Sequence, residues 1–231
     1  MTTKQERSAI FKSFQSNTKK NASFDEGKAN LLTLRNKLIE ICDYIFDVCN
    51  DDYFCKMPLK TDKTIAYYLY HLNRIEDVTS NILIAGKEQL FFAEDFDKRL
   101  NSPIITTGNE IARDGLIEFS KALDIKQLRE YVITVMANTN EIIKGLSFDN
   151  SKTKVSVERK AEAIKSNAVS TDESAFWLID YWCSKTYAGL MLMPFSRHPM
   201  LHLDGCLRII NKIKNSVKFT TNKHFLQKPE P

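Results

Sequence analysis

Leu31, Leu34, Leu38, Cys42, Ile45 and Cys49 recur at steps of three and four residues. That spacing puts them on one stripe of a helix of about seven turns, the pattern of a helix packed in a bundle. A wider stripe follows in Ile65, Tyr68, Leu69, Leu72, Ile75, Val78, Ile82 and Leu83, and it stops at Gly86, a natural residue to end a helix. Leu128, Val132, Val135, Thr139 and Ile142 form a third stripe that closes near Gly145. His202, Cys206, Ile209 and Ile213 form another near the end, preceded by a heavily aromatic segment with Phe176, Trp177, Ile179 and Trp182. No stretch alternates convincingly as a strand would, and only 7 Gly and 6 Pro punctuate 231 residues. The expected fold is all-α, with four long helices and two or three accessory ones.

Residues 1–22 read as a basic, loosely held arm, ahead of a single helical domain over 23–216. Ser23 and Glu26 have the spacing of a capping box, as do Ser170 and Glu173, and Thr61 or Asp62 is placed to cap the second helix. Residues 88–108 read as a packed crossover or a short helix. The helical signal then resumes near Glu110, with breaks expected at Asp114-Gly115 and Leu123-Asp124. Residues 147–170 form a polar insert, in which 155–164 suit one short amphipathic helix outside the main core. Residues 217–231 read as a polar tail.

The net charge of +4 is too mild to suggest nucleic acid as a partner. Five cysteines with no Cys-x-x-Cys pair, most of them inside apolar runs, suit buried reduced thiols rather than a disulfide framework. No apolar run approaches membrane-spanning length. The N-terminus lacks the core of a signal peptide, and a cytoplasmic location is the expectation.

Three of the four histidines are placed where they could meet. His198 and His202 are four apart, so on a helix they project from one side, close enough to share an ion. His71 lies on the apolar seam of the second helix, and a third imidazole there would complete a three-nitrogen site with one open position. Spacing alone fits equally a hydrogen-bonded core histidine, a cap and a helix-face residue. Pro199 stands where a zincin has its glutamate, so no general base accompanies the pair. Because Pro199 follows His198, the last helix is expected to begin at Pro199, with His198 as its N-cap. Tyr67 and Tyr68, one turn before His71, and Cys206, one turn after His202, are candidates to line a pocket. Trp177 and Trp182 read as core or interface.

The run Thr64-Ile65-Ala66-Tyr67-Tyr68-Leu69-Tyr70-His71-Leu72, with His198-Pro199-Met200-Leu201-His202 far downstream, resembles the DinB/YfiT-like superfamily. The resemblance covers roughly residues 23–216 and rests on three histidines in helical context. It implies a four-helix bundle with a crossover connection, holding a divalent metal through His71, His198 and His202. Imidazole ligation suits Zn, Ni or Fe. It further implies metal-dependent hydrolysis, or transfer of a low-molecular-weight thiol to an electrophile, on a small-molecule substrate. The alternative is a non-enzymatic helical protein, stress-related or a homodimer, whose metal is structural or vestigial.

Overall fold

A computed structural model describes the backbone of residues 2–225 and the side chains of residues 2–216. The chain is all-helical, and among the described residues the only β pairing is an isolated bridge between Lys154 and Thr186. In order the helices are α1 (Lys4–Asn17), α2 (Phe24–Val48), α3 (Asp51–Phe54), α4 (Ile65–Asp77), α5 (Leu90–Ala93) and α6 (Phe96–Arg99). They continue as α7 (Leu116–Ala122), α8 (Ile125–Gly145), α9 (Phe148–Ser151), α10 (Val157–Lys165), α11 (Glu173–Cys183), α12 (Tyr187–Leu192) and α13 (His198–Phe225). Two π-helical segments interrupt the series: Val78–Ala85 directly after α4, and Met193–Arg197 directly before α13. The helix expected from Thr61 to Gly86 is thus α4 plus a π segment, and it ends at Gly86 with φ +65°, as its glycine predicted.

Helix α4 packs against α8 and α13, and α2 packs against the same two. All 13 residues of α4 are buried, because the crossover after Gly86 covers the side that its neighbours leave open. Tyr70 Oη donates to the carbonyls of Ile104 and Thr106, and Arg74 donates to that of Ile105 at 2.6 Å. The guanidinium of Arg74 also lies 3.8 Å over the ring of Phe91. Two consecutive turns of α4 therefore hold a stretch of chain that has no regular structure of its own.

Several sequence expectations are corrected. Residues 1–22 are not a loose arm: Thr3 and Glu6 form a capping box that starts α1, and α1 packs along α2. Phe14 is fully buried there, and Arg7 pairs with Asp204 of α13. The apolar residues that interrupt the arm, Ile10, Phe11 and Phe14, are spaced as one face of a helix. Ser23 does not cap α2, because Asn21–Ser23 form a 3-10 turn and its hydroxyl donates to Asn17 O at 2.8 Å. Thr64, rather than Thr61 or Asp62, caps α4, accepting from Tyr67 N at 3.1 Å. Asp62 instead receives Arg208 of α13 at 2.8 Å. Asp172, not Ser170, caps α11.

The breaks near residues 114 and 124 are present, as a 3-10 turn at Arg113–Gly115 and as the start of α8. The 147–170 segment contains the expected short helix, α10, but it is less detached than its polarity suggests. Ala163, Ala168 and Val169 are buried, and Thr107 N donates to Ala168 O at 2.7 Å. The expected tail at 217–231 lies outside the residues whose side chains are described, as does His224, while the α13 backbone extends to Phe225. Among the described residues no helix is long and apolar enough to cross a membrane.

Candidate metal centre

His71 sits in the middle of α4, three residues beyond Tyr68 and four before Ile75, so the period that builds the core carries its ring inward. It is 5 % exposed. Its Nδ1 is 2.8 Å from the carbonyl of Thr107 in the crossover. A carbonyl only accepts, so the proton is on Nδ1 and the lone pair is left on Nε2. Tyr67 stacks on the ring at 5.3 Å and donates through Oη to Gly108 O at 3.1 Å. Gly108 has φ +76°, a left-handed conformation that glycine takes without strain and that turns the crossover directly after Thr107.

His198 and His202 approach from α13. His198 is helical, with φ −62° and ψ −53°, so the expectation of an N-cap there is overturned. The chain enters α13 through the π segment without a break, and its N–H bonds Met193 O. Pro199 is nevertheless felt. It has no N–H to give to Phe195 O four residues earlier, and that carbonyl accepts from Arg35 Nη1 of α2 at 2.9 Å. Close approach of α13 to α4 depends on Gly205, where an added Cβ would stand 3.3 Å from Tyr68 Cε2. Tyr68 in turn lies 5.0 Å from the ring of His202.

The three rings converge. Their centroids are 5.2 Å apart from His71 to each of the others and 4.3 Å apart between His198 and His202. One nitrogen from each lies within 4.8 Å of the other two, and His198 Nε2 and His202 Nε2 are 2.8 Å apart. A tetrahedral zinc ion needs its nitrogens about 3.3 Å from one another, and this set stands close to that spacing. Burial keeps the rings unprotonated, the state a metal requires. Desolvation lowers His71 to about 4, and desolvation, His71 and the Lys63 ammonium lower His202 to about 3. His198 is pushed well below its ordinary value by burial and by both partners. All three are neutral at physiological pH. His198 Nδ1 is buried without a hydrogen-bond partner, while Nε2 is the atom that faces His202.

The donor set thus fits a divalent ion: neutral imidazoles, one with its tautomer already fixed. Asn73, Glu76, Asp77 and Asp204, neighbours of the ligands in sequence, bond none of the rings; the bond to His71 comes from a loop carbonyl, which leaves no trace in a side-chain pattern. Cys206 is fully buried in the core, with its thiol raised by burial and by Cys42 and Cys49, and it is not one of the converging groups. Tyr67 and Tyr68 do flank the histidines. A cavity of about 310 Å³ opens on His71 and His198 and is walled by Trp177, Leu178 and Trp182 of α11.

Beneath the site lies a buried ion pair. Arg35 Nη2 and Nη1 reach Glu76 at 2.6 and 3.2 Å, Nε reaches Asn140 at 2.5 Å, and the remaining protons go to Met136 O and Phe195 O. No protein-family model matches the chain, and no curated protein matches it.

Proposed function

We propose that this chain is a divalent-metal-binding protein of the DinB/YfiT-like kind, a four-helix bundle with α2, α4, α8 and α13 as its principal helices. In this reading His71, His198 and His202 hold the ion, and the protein is a metal-dependent hydrolase or a transferase of a low-molecular-weight thiol. The observation that carries it is the convergence of three neutral imidazole nitrogens within 4.8 Å across two helices. Three neutral ligands leave a bound ion its full double charge, and it acts as a Lewis acid at its open position. The protein's part is to hold His71 in one tautomer through Thr107, to keep the rings unprotonated by burial, and to present a dry cavity beside them. That cavity favours an open coordination position over a closed structural site, because a ligand within it reaches two of the three rings.

The test is elemental analysis of protein purified without a nickel column, followed by titration of the chelated protein with Zn, Ni, Fe and Mn. One ion per chain, with a raised melting temperature, is expected. Absence of stoichiometric metal, with no binding and no thermal shift on addition of any of the four, refutes the reading. In cobalt-substituted protein, azide should change the visible spectrum, and a spectrum insensitive to azide would point to a structural ion.

A further inference from the structure

The cavity beside His71 and His198 has a chemistry of its own. Trp177, Leu178, Tyr181 and Trp182 make one wall from α11, and Ile75 and Met193 stand on other sides. Asn109 supplies an uncharged polar group, and no Lys, Arg, Asp or Glu lines the space. Its volume of about 310 Å³ is at the lower end for small-molecule pockets, roughly 300–1,000 Å³. Trp177 is 53 % exposed and sits edge-to-face with Tyr181 at 5.8 Å, an aromatic pair at the mouth. Trp182 is buried deeper in the wall.

We infer that this cavity is the substrate-binding pocket and takes a small molecule with an apolar, aromatic-sized body, whose polar reacting end points toward His71 and His198. The inference rests on the metal-binding reading for the role of that end, but recognition of the body does not need the ion. An apolar wall gains by removing apolar surface from water, whereas a strongly polar body would lose its hydration without replacement. Asn109 and the Tyr181 hydroxyl offer uncharged polar groups able to orient a carbonyl or amide. A long, multiply charged body finds no partner in this wall, so in a two-substrate reaction a thiol's charged portion remains outside the cavity.

Fluorine NMR tests this with 4-fluorobenzamide and fluoroacetamide, which share an uncharged amide and differ in the apolar body. In chelated protein, 4-fluorobenzamide is expected to bind saturably and at least tenfold more tightly than fluoroacetamide. Trp177→Ala, at a largely exposed position that does not endanger folding, should weaken it about tenfold, and Asn109→Leu severalfold. In cobalt-loaded protein the bound fluorine resonance should be shifted and broadened by the nearby paramagnetic ion. Equal affinity for the two amides, no saturable binding of either, or binding indifferent to Trp177→Ala overturns the inference. So does saturable binding with no paramagnetic effect in protein that holds one cobalt per chain. Affinity that falls as protein concentration rises would assign the cavity to a second copy of the chain, and overturns it too. Failure to take up cobalt defeats the metal reading alone, and the chelated titration still decides the pocket.

Discussion

Two of the buried polar constellations to which helix α4 contributes are completed to different degrees. Around Glu76 every donor is used: the five protons of Arg35 all reach acceptors, and both carboxylate oxygens are engaged. Around His71, one turn earlier, only the His71 side is finished. Its Nδ1 has Thr107, while His198 and His202 lean on one another and His198 Nδ1 has no partner. A buried polar group left short is costly. The difference separates a cluster whose polar atoms are all paired within the protein from one that keeps an unpaired ring nitrogen.

The sharpest way to break this contrast is at Arg35. Arg35→Ala leaves the Glu76 carboxylate and the Phe195 carbonyl buried without their partner, and should cost about 3–5 kcal/mol in urea unfolding. The double variant Arg35→Met with Glu76→Leu should recover most of that loss, since well-packed apolar residues replace a buried pair at little net cost. It should still bind metal roughly 10–100-fold more weakly, because Phe195 O sits four residues before Pro199 and orients the entry to α13. Full metal affinity in a stable double variant would mean that the two constellations are independent.

The pH dependence of stability comes next. An unfolded histidine takes up a proton near pH 6.5, but His71 in the fold resists until about 4. Between those values the unfolded chain binds more protons than the folded one, so stability present above pH 6.5 is lost as pH falls toward 4. For His71 alone the loss is roughly 3 kcal/mol in the metal-free protein, read from urea midpoints across that range. His71→Leu should flatten the slope. The same burial means that protons barely compete with the ion above about pH 5, so zinc affinity should be nearly level from there upward. A fall in affinity beginning near pH 6.5 would show that the rings are solvated.

His202→Ala probes the unfinished cluster directly. It removes a ligand, so metal affinity should drop by more than the roughly 10–100-fold typical of an outer partner. In chelated protein, stability should move by no more than about 1 kcal/mol, because the only hydrogen bond lost joins it to another ligand. A large loss of stability in the metal-free state would make this cluster structural after all.

Much of this was readable from spacing. The apolar stripes locate the four long helices, and the His71 seam and the four-residue step from His198 to His202 locate the ligands, because a helix converts sequence period into a face. Arg35, four residues after Leu31 and three before Leu38, escapes such a reading because a charged residue drops out of an apolar pattern even when its position on the helix is buried. What spacing does not carry is the contribution of backbone. The Thr107 carbonyl, the π segment that keeps His198 helical before a proline, and the dry wall presented by α11 all depend on how irregular chain is pinned by distant side chains. The capping boxes at Ser23 and Ser170 failed for a similar reason, since a cap needs an extended backbone, and a 3-10 turn at Asn21–Ser23 denies it to Ser23.

Tyr67→Phe is the smallest of these perturbations and the one that joins the crossover to the site. The Tyr67 hydroxyl donates to Gly108 O and accepts from Lys63 Nζ at 3.2 Å, while its ring stacks on His71. Phenylalanine keeps the ring and drops both bonds, leaving a buried carbonyl to be resolvated. The expected cost is about 0.5–1.5 kcal/mol in unfolding, the net worth of a typical hydrogen bond. Zinc affinity should be unchanged within about threefold, because Thr107 is also held by its N–H bond to Ala168, and Tyr70 and Arg74 pin the residues before it. A drop in affinity larger than the drop in stability would mean that the crossover, rather than α4, sets the orientation of His71.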